Sequence, residues 1–334
     1  MVKLIYSANS KDKILKAFQV TDFDSNPTIE DIPKPTPTPN QIRIKIMACG
    51  LNFADLLMQN GSYQDTPELP FVLGMEVSGI VDEVGSKVKN FSIGERVAVF
   101  GGRGGLAEYG CFDALKCFQI PDDMDFNDAA AFQIAYGTSH LALEYKAKVK
   151  PGETILVLGA SGGVGLTAVQ LGKLMGAQVI GIARGTNKME IVEKMGADHV
   201  FDSNDPNLVN KLKGLGGVDV VYDPVGGDQF KSAFRSCNPE ARILLIGFAS
   251  GKIPEIKANH LLVKNITIHG FYWGGFLGFN PEVIIDSLKQ LFEWYSSNKL
   301  KPHISHVFEL GNAEDALNIL RQRKATGKVV VKIH

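Results

Sequence analysis

The chain is poor in cysteine, in long apolar runs and in net charge, and each shortage excludes a class of protein. Its 334 residues hold four cysteines, scattered without the spacing of a disulfide framework, so reduced thiols are expected. A net charge of −1 leaves no broad positive field to attract nucleic acid or anionic lipid. The longest apolar runs have the length of strands, so we expect no membrane span.

The start of the sequence and its composition are typical of a cytoplasmic globular protein. Met1–Tyr6 has neither the basic start nor the apolar core of a secretory signal. Apolar residues make up 45% of the chain and charged residues 21%, so a sizeable core is expected. The length fits two domains.

A glycine-rich turn stands between an apolar run and a segment with helical spacing. Gly159 permits a sharp turn and Gly165 lets the next helix pack closely, while the glycines between them let backbone N–H groups approach a pyrophosphate. This placement between a predicted strand and a predicted helix indicates a dinucleotide-binding turn. Its candidate cofactor-binding residues are Gly159, Ser161, Gly162, Gly163, Val164 and Gly165.

Residues 152–247 alternate between strand-like and helix-like patterns. The predicted strands are Ile155–Leu158, Gln178–Ala183, His199–Asp202, Val218–Tyr222 and Ile243–Ile246, with Ile266–Gly270 as a sixth. The alternation predicts an α/β fold, a doubly wound (Rossmann) parallel sheet with helices on both faces.

Residues 41–120 carry a different pattern, in which short alternating strands are broken by glycines. Ile42, Ile44 and Ile46 share one face of the first strand. Further strands are predicted at Val77–Val84, Arg96–Phe100 and Tyr109–Phe112. This patterning predicts a compact, barrel-like β domain, and the proline-rich residues 28–40 predict an ordered turn region.

The sequence after the sheet predicts a helix and two further strands, His306–Glu309 and Lys328–Lys332. These strands need partners, and the β domain is their expected host. We therefore expect the α/β domain, residues 126–270, to be inserted into a discontinuous catalytic domain made of residues 1–125 and 271–334.

Several motifs together resemble the medium-chain dehydrogenases/reductases. Gly74–Gly79, Val84–Gly85 and Gly94–Ala98 resemble the barrel signature of that superfamily. The resemblance runs nearly end to end, from about Ile42 through the closing Thr326–Val330. Cys49–Asp55 and Gly159–Gly165 look most like its zinc-free quinone oxidoreductases, the zeta-crystallin group. The resemblance implies a GroES-like β-barrel catalytic domain interrupted by the Rossmann domain.

The positions of the zinc ligands distinguish this chain from the alcohol dehydrogenases that it resembles. Those relatives have a cysteine where Asn52 stands and a histidine where Met75 stands. An amide is a poor zinc ligand and a thioether is worse, and the cysteine-rich lobe for structural zinc is missing, so we expect no metal. Without a Lewis acid, hydride transfer favours acceptors that take up charge readily: quinones, α,β-unsaturated carbonyls and unsaturated thioesters.

The resemblance places two residues of the β domain at the reaction. Asn52 stands where relatives have a metal ligand and would orient the substrate or the nicotinamide ribose; the alternative is a capping residue of a loop. Tyr63 matches a tyrosine that donates a proton in enoyl-thioester reductases and lines the site of quinone reductases; the alternative is an aromatic lid. Leu57 stands where many quinone reductases have a second tyrosine.

The end of the second strand of the α/β domain predicts NADPH as the cofactor. NAD-specific sites place a carboxylate there, whereas this chain has Arg184 and Lys188, whose charges suit a 2′-phosphate. The alternative is that both cations are merely solvated. The resemblance adds further cofactor-binding candidates: Thr138, Gly247, Phe248, Phe271, Tyr272, Trp273 and Lys328.

The leading hypothesis is a zinc-free NADPH-dependent reductase of quinones or related conjugated acceptors. A 2-enoyl-thioester reductase and a non-catalytic NADPH-binding protein remain open alternatives. The family implies a homodimer, with the sheet edge near Ile266–Gly270 as the expected interface. Nucleic acid is not an expected partner, because no basic stripe is interleaved with aromatic residues.

Overall fold

The structure is a computed structural model that describes residues 14–334. The chain divides into two compact units: the first runs to Gln133 and resumes at Ile304, and the second spans Ile134–His303. The first unit is therefore discontinuous, as the motifs imply. The boundaries differ from the sequence-based ones, because residues 126–133 fall in the first unit and residues 271–303 in the second.

Strands of residues 14–334 are β1 (Ile14–Val20), β2 (Thr28–Pro33), β3 (Gln41–Leu51), β4 (Phe71–Val72), β5 (Glu76–Val84), β6 (Arg96–Phe100), β7 (Tyr109–Asp113), β8 (Cys117–Gln119), β9 (Thr154–Val157), β10 (Gln178–Ala183), β11 (His199–Asp202), β12 (Val218–Asp223), β13 (Cys237–Leu245), β14 (Thr267–Gly270), β15 (Ile304–Glu309) and β16 (Lys328–Lys332). The α-helices are α1 (Phe53–Gln59), α2 (Phe126–Ala130), α3 (Gln133–His140), α4 (Gly163–Leu174), α5 (Thr186–Lys194), α6 (Leu208–Gly214), α7 (Gly227–Ser236), α8 (Ala258–Lys264), α9 (Phe276–Phe279), α10 (Pro281–Ser296) and α11 (Ala313–Arg321). Within the described range, no helix is long and apolar enough to cross a membrane.

The first unit is built on a sheet with the strand order β15-β16-β3-β5-β6-β8, and β7 also pairs with β3. Ile42, Ile44 and Ile46 are fully buried along β3, which confirms the alternation seen in the sequence. The last strand, β16, runs antiparallel to β3, so the barrel unit does host the strands that follow the α/β domain.

The prediction of a turn region over residues 28–40 is wrong for its first part. Thr28–Pro33 forms β2, which pairs antiparallel with β1. Ile29 stands opposite Phe18 and Ile32 opposite Leu15, and the two β1 side chains are buried. The later prolines, which cannot donate to a ladder, lie beyond this strand, so only they carry the turn character.

The second unit contains six parallel strands in the order β11-β10-β9-β12-β13-β14. This confirms the predicted doubly wound sheet. Its core contains Leu156, Ile180, Val221 and Ile243, one from each of four adjacent strands and all fully buried. Strands that are buried on both faces appear in a sequence as continuous apolar runs, so these strands could be predicted from the sequence.

Residues 281–296 belong to the second unit because α10 packs inside it. The buried His140, at the end of α3, accepts or donates a hydrogen bond through Nδ1 to Ser287 Oγ at 2.8 Å. Its ring also lies edge-on to Trp294, with centroids 5.2 Å apart. The sequence shows the amphipathic spacing of α10 but not which surface receives its apolar face.

We expect the substitution Gly165→Ala to destabilise the second unit. A Cβ at Gly165 would lie 2.3 Å from the carbonyl oxygen of Gly159, so α4 must move away from the turn, at a cost of about 1–3 kcal/mol. Gly214→Ala in α6 is the control, because a Cβ there meets no atom within 4 Å. Urea unfolding measures both; equal stability of the two variants would contradict the expectation.

Candidate active site

The carboxyl ends of the parallel strands meet at one edge of the second unit's sheet, and most predicted cofactor residues follow them. β9 leads into Gly159–Gly165, β10 into Arg184, β13 into Gly247 and Phe248, and β14 into Phe271. The strand order reverses at β9, which has β10 on one side and β12 on the other. Ligands of open α/β sheets bind in the crevice at such a switch point.

The glycine-rich turn fits a dinucleotide pyrophosphate. Gly159 has a φ of +56°, a backbone conformation that residues other than glycine rarely adopt. Gly162 is the N-cap of α4, and no side chain caps this helix end. A Cβ at Gly162 would meet nothing closer than the Gly159 carbonyl oxygen at 3.4 Å. No side chain therefore caps the first N–H groups of α4, and an uncapped helix N-terminus that follows a glycine-rich turn is the arrangement that binds phosphate oxygens.

A carboxylate lies near the predicted 2′-phosphate site, although the second strand of this sheet carries none. Asp202 ends β11 and stands level with Ala183 of β10. Its Oδ2 accepts a hydrogen bond from the backbone N–H of Gly185 at 2.9 Å. Backbone N–H donors and the charge of the exposed Arg184 lower the pKa of Asp202. The side chain thus fixes the loop that carries Arg184 and leads into α5, whose first turn carries Lys188.

Asp223 is a second carboxyl group at this edge that the sequence did not single out. It is fully buried at the end of β12, and burial raises its pKa. Its Oδ1 accepts hydrogen bonds from the backbone N–H groups of Val225 and Gly226, both at 2.8 Å. A Cβ at Gly159 would lie 2.8 Å from Val225 Cγ2, so Asp223 holds the loop that packs against the glycine turn.

The aromatic residues after β14 divide into buried and exposed ones. Phe271 and Trp273 are buried, whereas Tyr272 is 42% exposed. A Cβ at Gly137 would lie 2.7 Å from Trp273 Nε1, so the indole packs directly against α3. The next residue of α3, Thr138, is also buried. Phe271 and Trp273 therefore contribute packing to the second unit.

In the barrel unit, Asn52, Glu76 and Lys328 form a buried polar cluster. Lys328 Nζ donates to Glu76 Oε1 at 2.5 Å and to Asn52 Oδ1 at 2.7 Å. Asn52 Nδ2 donates to Glu76 Oε1 at 2.9 Å. The side chains of Lys328 and Glu76 are only 4% and 0% exposed. Lys328, expected to approach the cofactor, thus has its ammonium group in an ion pair inside the barrel unit.

Asp55 adds a second carboxyl group beside this cluster. Its Oδ2 accepts a hydrogen bond from the backbone N–H of Asn52 at 2.8 Å, which caps the start of α1. Burial raises the pKa of Asp55 to about 7, with a smaller contribution from the charge of Glu76, while Lys328 opposes the rise. Burial also raises the pKa of the neighbouring Cys49 thiol.

Tyr63 lies in the loop that follows α1 and is half-buried. Its carbonyl oxygen accepts hydrogen bonds from Thr66, from the backbone N–H at 3.1 Å and from Oγ1 at 2.7 Å. Met75, at the second former ligand position, is buried. Among residues 14–334, no three His, Cys, Asp or Glu side chains come together as a metal site.

The stability of the barrel unit should depend on the ionisation of Asp55. A carboxyl whose pKa is raised on folding stabilises the fold while protonated, and that contribution is lost as pH rises through the folded value. Relative to Asp55→Asn, the wild-type free energy of unfolding should fall between pH 3.8 and about pH 7, by on the order of a few kcal/mol. Denaturant unfolding across this range measures the difference; parallel curves for the two proteins would contradict it.

Comparisons with known proteins agree with this architecture. Residues 38–122 match the alcohol dehydrogenase GroES-like domain and residues 163–296 match the zinc-binding dehydrogenases.

The chain is 43% identical over 298 residues to a quinone oxidoreductase-like protein 2 homolog of Nematostella vectensis, covering 87% of this chain and 81% of that protein. It is 32% identical over 335 residues to the quinone oxidoreductase of Sus scrofa, covering 96% and 98%. The quinone oxidoreductase of Thermus thermophilus, solved also as its complex with NADPH, superimposes with a TM-score of 0.85 at 30% identity, covering 95% of this chain and 100% of that one. This chain therefore belongs to the quinone oxidoreductase group of the medium-chain dehydrogenases/reductases.

Proposed function

We propose that the protein is a zinc-independent, NADPH-dependent reductase of quinones or related conjugated acceptors. The observation that carries the proposal is the Asn52–Glu76–Lys328 cluster. It includes the position at which zinc-dependent relatives have a ligand, and its only cation is neutralised by Glu76 at 2.5 Å. No uncompensated positive charge in this cluster is left to stabilise an alkoxide. An acceptor must therefore take up the charge of a hydride by itself.

The second unit supplies the residues for the cofactor. The open N-terminus of α4 receives the pyrophosphate, and Arg184 and Lys188 pair with the 2′-phosphate. When bound, NADPH supplies a hydride from C4 of its nicotinamide. The acceptor gains this hydride, two electrons with one hydrogen nucleus, and one further proton from Tyr63 or from water; a quinone thereby becomes a hydroquinone. The NADPH complex of the Thermus thermophilus relative supports the choice of cofactor.

Removing the two cations should change cofactor preference. The double substitution Arg184→Ser and Lys188→Ser leaves a 2′-phosphate without charge-assisted partners, so the KM for NADPH should rise about tenfold or more. The KM for NADH, which lacks that phosphate, should stay within about twofold. Steady-state kinetics with both cofactors measures the ratio. Equal changes for the two cofactors would remove the proposed phosphate contact.

A panel of acceptors tests the reaction itself. NADPH consumption is followed with benzoquinone, naphthoquinone, an α,β-unsaturated aldehyde and crotonyl thioester, before and after treatment with a zinc chelator. We expect turnover of the quinones at a rate that the chelator does not change. Turnover of the thioester alone would replace the proposal with an enoyl-thioester reductase, which Tyr63 and Leu57 favour. No turnover of any acceptor would leave a binding protein, and loss of activity on chelation would contradict zinc independence.

The substitution Tyr63→Phe then tests the source of the proton. If the phenol donates it, kcat falls for the accepted substrate while the KM for NADPH is retained. An unchanged kcat assigns the proton to water.

We also propose a homodimer through the edge of the six-stranded sheet. β14 is one of the two edge strands of this sheet, and an exposed strand edge favours pairing with a second copy. Leu262 and Val263 of the preceding helix α8 are 77% and 76% exposed, which supports an apolar contact beside that edge.

A further inference from the structure

The barrel sheet brings three polar side chains together at the ends of neighbouring strands. Lys328 begins β16, Asn52 follows β3 directly, and Glu76 begins β5. In the ladder, Val329 stands opposite Leu51. Gly50 of β3 stands opposite Glu76. The register of β16-β3-β5 therefore decides which side chains meet Asn52.

Each of the two charged side chains forms a hydrogen bond with a different end of the Asn52 amide. Its Nδ2 donates to Glu76 Oε1 at 2.9 Å, and its Oδ1 accepts from Lys328 Nζ at 2.7 Å. A flipped amide would turn its NH₂ group toward the ammonium and its carbonyl toward the carboxylate. Both contacts would then be repulsive. The ion pair thus selects one of the two orientations of an otherwise symmetric-looking amide.

Stability alone does not account for an ion pair buried this deeply. Taking two charges out of water costs several kcal/mol per ion, and apolar replacements of such pairs are often neutral or stabilising. Both side chains are at most 4% exposed, whereas Asn52 is half-buried. The charges are therefore hidden, and the group that they orient is the accessible member of the cluster.

We propose that Glu76 and Lys328 are positioning residues that hold the Asn52 amide in one orientation for reduction of the acceptor. The inference rests on the proposed function. In it, the ion pair determines the orientation of the Asn52 amide. Neither residue contacts the acceptor; each acts through Asn52.

The test is the double substitution Glu76→Gln with Lys328→Met, which removes both charges together. We expect thermal stability close to that of the wild type, a kcat lower by about tenfold to a hundredfold, and a KM for NADPH within about twofold. A role in stability alone predicts wild-type kcat in the double variant. That result would overturn the proposal.

A second readout needs no turnover. The side-chain ¹H–¹⁵N resonances of Asn52, identified by their loss in Asn52→Ser, report its hydrogen bonds. In the wild type the proton bonded to Glu76 should be shifted downfield, and in the double variant this shift should disappear. Resonances that stay unchanged in the double variant would contradict the orienting role. If the wild-type protein reduces no acceptor, the proposed function fails, and these resonances still decide whether the ion pair orients Asn52.

Two further variants separate positioning from folding. Arg43→Met removes a partly buried charge from β3, where the Arg43 side chain pairs with Asp82 at 2.6 Å. This substitution should lower the stability of the protein and leave the Asn52 resonances unchanged. Lys328→Arg keeps the positive charge and should preserve both the resonances and most of kcat; loss of the Asn52 resonances in a folded Lys328→Arg variant would contradict the orienting role. This test holds even if the double variant does not fold.

Discussion

The ion pair between Glu76 and Lys328 is the interaction on which the strand register of the barrel unit and its proposed chemistry both depend. Either charge alone would be buried without its counter-ion, at a cost of roughly 3–5 kcal/mol, and the two side chains meet only when β16, β3 and β5 are in register. The same register places the Asn52 amide between the two charges. Correct pairing of these strands therefore also places the Asn52 amide in its correct orientation.

This pairing also defines what the cluster is unable to do. The ammonium group of Lys328 is paired with the carboxylate of Glu76, so the cluster of Asn52, Glu76 and Lys328 holds no net charge. The cluster therefore offers no uncompensated cation of the kind that a catalytic metal supplies to an alkoxide. The conjugated acceptors proposed above, which take up the charge of a hydride readily, are consistent with such a cluster.

The features that the sequence predicted well depend on neighbours along the chain. The bounds of β10, β11 and β16 agree with the sequence to the residue, because apolar runs bounded by turn residues are local signals. The glycine turn is local too: Gly159 and Gly165 are six positions apart and meet in space. The turn, the parallel sheet and the interrupted barrel were accordingly all within reach of sequence reasoning.

The features that escaped prediction depend on register and on distant partners. Lys328 and Asn52 are 276 positions apart, and no periodicity reveals that they share a hydrogen bond. Asp202 is the last residue of the third strand of the α/β pattern, and only the parallel pairing of β11 with β10 brings it level with the end of the second strand. Thr28–Pro33 forms a strand through its pairing with β1, and the proline-rich sequence of residues 28–40 does not reveal that partner.

The interrupted arrangement of the barrel unit has a consequence for protein synthesis. Ribosomes deliver residues 134–303, a contiguous unit with its own core, before β15 and β16 exist. This unit has all its segments available for folding during translation. The barrel sheet, in contrast, must wait with the end of β3, from Ala48 to Leu51, lacking its partner strand and with Glu76 lacking its counter-ion until Lys328 emerges. Co-translational chaperones that shield unpaired strand edges should therefore matter more for the barrel than for the nucleotide-binding unit.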